Sequence, residues 1–125
     1  MPTPRTTLEL LETLAEPTRL RIVNCLAAAP LFVSDLQVLL DVPQPTVSRH
    51  LKVLRDVGLV RDTPIAQYVL YRLRRPTDVL GRVVGSVLDA ALSDPDLRAE
   101  RSSALAHSRR HARERIEAGL EGHSA

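Results

Sequence analysis

A mainly α-helical chain carrying one small β-hairpin is what this sequence predicts, on three observations. Amphipathic helical segments fill residues 6–57, and the last two are separated only by the break DVPQP. A run of β-formers, YVLYRL at 68–73, follows soon after Gly58 stops the fourth helix. A double row of valine and leucine between 79 and 92 is wider than one small domain needs on a single helix face. Two helices joined by a short turn and followed by a hairpin make a winged helix-turn-helix. The surplus apolar row makes it homodimeric.

The elements follow in order. Residues 6–15, TTLELLETLA, space Leu8, Leu11 and Leu14 as one helical face. Pro17 then stands where a first-turn proline is tolerated, and PTRLRIVNCLAA puts Leu20, Val23 and Ala27 on one side with Ile22 and Leu26 beside them. Pro30 ends that helix. Ser34 is placed to cap a third helix, SDLQVLLD, with Leu36, Leu39 and Leu40 inward. PTVSRHLKVLRDVG is the fourth, with Val47, Leu51 and Leu54 inward and Gly58 as its stop. Leu59–Asp62 and Tyr68–Leu73 read as strands joined by the turn TPIAQ. A fifth helix runs from near Pro76 to about Leu92, with the rows Val79, Val83, Val87, Ala91 and Leu80, Val84, Leu88, Leu92. Gly81 and Gly85 lie four apart on it and permit close helix approach. A last, weakly amphipathic helix starts at SDPD, capped by Asp94 with Pro95 in its first turn, and is rich in Arg and Ala to about Gly119. The division expected is 1–94 as a winged-helix DNA-binding and dimerisation domain and 95–125 as a C-terminal basic helix and tail.

Composition narrows the function. With 125 residues and 44 % apolar content, one core is the natural expectation. The N-terminus MPTPRTTLEL has no apolar signal core and no stretch is long enough to span a membrane, so the expected place is the cytoplasm. Only Phe32, Tyr68 and Tyr71 are aromatic, which argues against reading single strands by base stacking. The charge is not evenly spread. Residues 48–75 hold seven bases against two acids, whereas 1–47 and 76–97 are net acidic. A basic block on a near-neutral chain is the footprint of a phosphate-binding face. There is no Gly-rich phosphate loop, no HExxH and no Ser–His–Asp grouping, so an enzyme is not expected.

AEPTRLRIVNCL, VSDLQVLLDV, QPTVSRHLKVLRDVGLV and YVLYRL, in this order and spacing, resemble the ArsR/SmtB family of bacterial winged-helix repressors over about residues 8–75. The resemblance implies a homodimer that binds a palindromic operator in double-stranded DNA and represses transcription until an inducer releases it. In many members that inducer is a metal ion or metalloid, in others a thiol-redox change.

On that reading the start of the fourth helix enters the major groove. Gln44 can pair bidentately with adenine and Arg49 with guanine. Thr46 and Ser48 are short-range hydrogen-bonders to phosphate or base edges. His50 is a donor packed at the helix edge or touching phosphate, and Lys52 and Arg55 are phosphate clamps. Arg61 and Arg72 flank the base of the wing, and Arg74 and Arg75 contact backbone or cap the hairpin. The wing departs from the family: its tip, Thr63 to Gln67, has no Lys, Arg or Gly. The dimer seam combines Leu8 and Leu11 of the first helix with Val79, Leu80, Val83, Val84, Val87 and Leu88. A winged-helix dimerisation or protein-interaction module without specific DNA binding is the alternative, favoured only by the bare wing tip.

The sensing sites of the family are not matched. The stretch Leu31–Asp35 carries no thiol where soft-metal sensors pair cysteines, and the fifth helix offers Asp78 and Asp89 but no His. Cys25 is the only cysteine and reads as a small buried hydrophobe. His107 and His111, four apart with His123 beyond, could chelate Zn²⁺ or Ni²⁺ with help from Glu114 or a partner residue. Four arginines nearby (109, 110, 113 and 115) repel a cation, so no metal is assigned and a solvated basic helix is the preferred reading.

Overall fold

The computed structural model describes residues 6–124 and, beyond residue 111, only one side chain, that of Glu114. The chain runs α1 (Thr7–Ala15), α2 (Pro17–Leu26), β1 (Leu31–Phe32), α3 (Val33–Leu40), α4 (Gln44–Asp56), β2 (Val60–Ile65), β3 (Tyr68–Leu73), α5 (Val79–Ala91) and α6 (Pro95–Ser124). Local chemistry sets most helix starts. Thr6 Oγ1 accepts the Glu9 N–H at 3.0 Å, Glu16 accepts from Arg19 at 2.8 Å ahead of Pro17, and Asp94 Oδ1 accepts from Asp96 at 2.9 Å. The third helix differs from expectation. It begins at Val33, which puts Ser34 inside the first turn, and Asp35 Oδ2 takes the Phe32 N–H at 2.8 Å instead. Asp41, with φ 53°, ends α3 in the left-handed region, and Gly58, with φ 81°, turns the chain out of α4.

The sheet has three antiparallel strands in the order β1-β3-β2. A two-residue strand carries no period, so β1 left no trace in the pattern of the sequence. The hairpin is tighter than the expected five-residue turn: Ile65 pairs with Tyr68, and Ala66, with φ 54°, and Gln67 form the tip. Pro64 belongs to β2. It is tolerated because β2 is an edge strand, where a missing N–H need not break the ladder.

Helix α2 sits at the centre, packed by α1, α3, α4, α6 and β3. Leu10, Ile22, Leu36, Leu51, Leu54, Leu59 and Val84 are each fully enclosed. Each such side chain contributes about 1.5–3 kcal/mol relative to an exposed one. The two rows of α5 separate as far as position 88 and then exchange sides, with Ala91 buried and Leu92 exposed. Leu80, Val84 and Leu88 are buried in the chain's own core, so these three do not belong to a seam open to a partner. Val79 is 55 % exposed, and Val83 and Val87 are half-buried beside it. Gly81 also serves the chain itself, because a Cβ there would collide with the Pro76 carbonyl oxygen. A Cβ on Gly85 meets nothing within 4 Å.

The last helix docks on α2 and α3. Ala104 is fully buried against them. Arg21 holds Glu100 at 2.8 Å and the Leu40 carbonyl at 3.1 Å, tying α2, α3 and α6 together. The Glu100 carboxylate raises the Arg21 pKa, through its hydrogen bond above all. Asn24 donates to the Leu97 carbonyl at 2.8 Å and accepts from Arg101 at 2.9 Å, while Arg101 also reaches the Leu88 carbonyl at 2.7 Å. Burial is the main cause that lowers the Arg101 pKa.

Candidate nucleic-acid interface and an Asp–His cluster

Helix α4 is split lengthwise by its own sequence. Val47, His50, Leu51 and Leu54 are buried, which turns Gln44, Arg49 and Lys52 to solvent and leaves Thr46 and Ser48 at the margin. Pro43 stands before the helix and Pro45 lies in its first turn. The first backbone N–H groups of a helix lack intrahelical partners and favour anions. Gln44 Nε2 donates to Ser48 Oγ at 2.7 Å, so the two polar side chains are already aligned on one face. Between this face and the wing runs a shallow groove lined by Gln37, Gln44, Ser48, Gln67 and Tyr71.

Not every residue expected at this face is there. His50 is buried with its Nδ1 3.7 Å from Glu16 Oε2, and that nitrogen has no hydrogen-bond partner among the described residues. It packs toward the start of α2 because position 50 shares the inward stripe of 47, 51 and 54. Arg55 is committed to Asp62 at 3.3 Å and lies 3.9 Å from Asp56, so it braces α4 against β2 in place of an open phosphate clamp. Arg61 and Arg72 are cross-strand partners. Strand alternation places them on the sheet face opposite Asp62 and Tyr71, beside a cleft formed with Leu26 to Pro30. They are exposed, and they border a different cleft from the groove at the start of α4. Arg74 closes the hairpin base by donating to the Gly58 carbonyl at 3.1 Å.

Cys25 is fully buried, and burial pushes its thiol up to about 12. The histidines of α6 behave differently from a solvated basic helix. His107 is buried with Nε2 2.8 Å from Asp35 Oδ1, and His111 Nδ1 lies 3.3 Å from the same oxygen. The rings are 4.1 Å apart. One donor atom from each of Asp35, His107 and His111 falls within 4.8 Å of the others, a grouping that can hold a metal ion. Asp35 was not legible as a third member, since it lies 72 residues from His107. Glu114 is exposed, and the side chain of His123 is outside the described residues. Arg109 and Arg110 are exposed on α6, whereas the side chains of Arg113 and Arg115 are outside the described residues.

A family model described as "Bacterial regulatory protein, arsR family" matches residues 16–62, from the cap of α2 into β2. The chain is 44 % identical over 64 residues to the biofilm growth-associated repressor of Agrobacterium fabrum, covering 51 % of this chain and 55 % of that protein. It is 46 % identical over 65 residues to the HTH-type transcriptional repressor SmtB of Mycobacterium tuberculosis, covering 52 % of this chain and 48 % of that one. The chain thus spans about half the length of these curated relatives. Among solved structures, the transcriptional repressor BigR from Xylella fastidiosa is similar with a TM-score of 0.59 and 30 % identity, over 67 % of this chain and 80 % of that chain.

Proposed function

This chain belongs to the arsR family of bacterial regulatory proteins, and from that premise we propose that it is a DNA-binding transcriptional repressor acting as a homodimer. The observation that carries the proposal is the division of α4. One face is locked into the core by Val47, Leu51 and Leu54, and the other offers Gln44, Arg49 and Lys52 to solvent at a helix start, with Ser48 at its margin. That is the arrangement in which a recognition helix meets base edges and phosphates together. Thr46 joins them at the margin. Arg61 and Arg72 supply positive charge on a separate face and so add little to base reading. A palindromic operator follows from a two-fold dimer, whose material is the bare side of the chain: Leu8 and Leu11 of α1 are 65 % and 45 % exposed, next in kind to Val79, Val83 and Val87 of α5.

The named relatives are repressors, and no helix among the described residues is long and apolar enough to cross a membrane. The test is binding of the purified full chain to DNA from upstream of its own gene, read by gel shift against unrelated DNA of equal length. Specific retention, lost as salt rises, is the expected result. Equal, weak retention of both fragments would mean that the fold serves protein association without an operator.

A further inference from the structure

We propose that Arg109 and Arg110 of α6 contact DNA phosphates, on the strand that borders the hairpin side of the groove that α4 enters. The proposal rests on the repressor reading above. It adds a second electrostatic surface, on an element outside both the helix-turn-helix and the hairpin.

Charge is segregated along α6. Asp94, Asp96 and Glu100, at its start, border a cleft with Arg21 of α2. Residues 102–111 hold no acid and two arginines. The Asp–His contact fixes where this basic part lies. His107 and His111 both meet the Asp35 carboxylate, at 2.8 and 3.3 Å, on the first turn of α3. That turns the two imidazoles toward α3 and leaves Arg109 and Arg110 exposed. With a rise of ~1.5 Å per residue, both arginines lie within ~3 Å of His111 along the helix axis.

This turn of α6 is continuous with the recognition surface. The groove that Gln44 lines and the cleft of about 480 Å³ that Ile65 and His111 line share Phe32, Ser34 and Tyr68. Neither is lined by an acid among the described residues, so an anionic strand can follow the surface from one to the other. A helix seated in a major groove ~12 Å wide has a phosphate strand on either side. Arg49 and Lys52 supply cations from α4 itself. On the hairpin side, residues 63–68 carry no charge, and the positive charge beside the cleft is that of Arg109 and Arg110, on the turn of His111. Arginine meets a phosphate through charge-assisted hydrogen bonds. Such contacts fix position and orientation on the duplex and carry no base preference.

The full chain and its Arg109→Ala, Arg110→Ala double variant should be titrated by fluorescence anisotropy onto operator and unrelated DNA between about 50 and 200 mM salt. Loss of both arginines should flatten the log–log salt slope on the operator by roughly 1.8 per half-site, so the deficit of the variant shrinks roughly tenfold per half-site across that range. The slope on unrelated DNA should flatten too. Arg109→Lys with Arg110→Lys should retain most of the slope, because lysine still serves a phosphate as a point charge. Arg98→Ala, which removes an exposed charge nearer the start of the same helix, should bind as wild type does. Methylphosphonate linkages, each neutralising one phosphate of the operator, then locate the contact. Some should weaken the wild type and leave the double variant indifferent. Equal slopes for wild type and the double variant, with the helical circular dichroism preserved, overturn the contact, and so does an equal flattening in Arg98→Ala. Slopes that differ as expected on both DNAs, with no preference for the operator, strike the repressor reading and leave the α6 contact standing. A chain that binds neither DNA overturns both.

Discussion

Arg49 and Lys52 are close neighbours on the exposed face of α4, yet their removal should read out differently. Arginine offers a planar fork that fits guanine, so Arg49→Ala should lose about 1–3 kcal/mol of operator affinity and blur preference at one base position. Lysine is a point charge, so Lys52→Ala should weaken all sequences alike and reduce the log–log salt slope by about one. Anisotropy titrations on operator and scrambled DNA at several salt concentrations separate the two effects. Cys25 should be silent. Only the thiolate reacts or binds metalloids, and burial pushes the thiol up to about 12, so it stays protonated through the neutral range. An alkylating reagent at neutral pH should label the denatured chain and spare the native one, and arsenite or thiol oxidants should leave DNA binding unchanged in wild type and in Cys25→Ser. At this scale the sequence is legible where one period governs. It reveals Val47, Leu51 and Leu54 as inward, and it also contains the correction for His50, since 47, 50, 51 and 54 make one helical stripe. The pairing of Asp35 with His107 and His111 has no such signal. It depends on how α6 lies across α3, which no local spacing encodes.

The elements themselves are largely written in local chemistry: proline and acid at helix starts, Gly58 at a stop, β-formers in β3. What escapes is orientation. The last helix has few large apolar residues, so its pattern describes a solvated rod, yet it docks through Ala104 and a polar network of Arg21, Asn24, Glu100 and Arg101. Small and polar groups bury well only when their partners are supplied by another element, and those partners lie some 75 residues away in the chain. The docking is therefore testable at Asn24. Asn24→Ala leaves the Leu97 carbonyl and one donor of Arg101 without their partner, and should cost about 1–3 kcal/mol in urea unfolding. Glycine in α5 gives a second test. Gly81→Ala drives a methyl into the Pro76 carbonyl and should destabilise the chain by about 1–3 kcal/mol, because main chain must move. Gly85→Ala meets open space and should instead stabilise it by about 0.5–1 kcal/mol through helix propensity. Equal melting temperatures for the two variants would contradict the close approach at Gly81.

For the whole molecule the decisive matter is which surface of α5 is used inside the chain and which is left over. The sequence shows both apolar rows and cannot apportion them, because width alone does not say which row faces home. The structure assigns Leu80, Val84 and Leu88 to the chain's own core, while Val79, Val83 and Val87 remain on the open side, as Leu8 and Leu11 do on α1. A charge at Val84 or Leu88 would therefore unfold the monomer and say nothing about assembly, since an unpaired charge in a closed core is too costly to retain. The informative variant is Val83→Asp with Val87→Asp. Both positions are half-buried in the single chain, so the fold should survive with its helical circular dichroism and a melting temperature near that of wild type. In the proposed two-fold dimer the same positions would be enclosed, and the added charges would face each other across the axis. The double variant should then sediment as a monomer. Operator affinity should collapse with it, because two α4 helices held about 34 Å apart by the dimer are what match successive turns of the major groove. Leu8→Glu, on the other bare face, should weaken the dimer in the same direction. If the double variant is folded, still sediments as a dimer and still retains operator DNA, the axis lies elsewhere on the molecule.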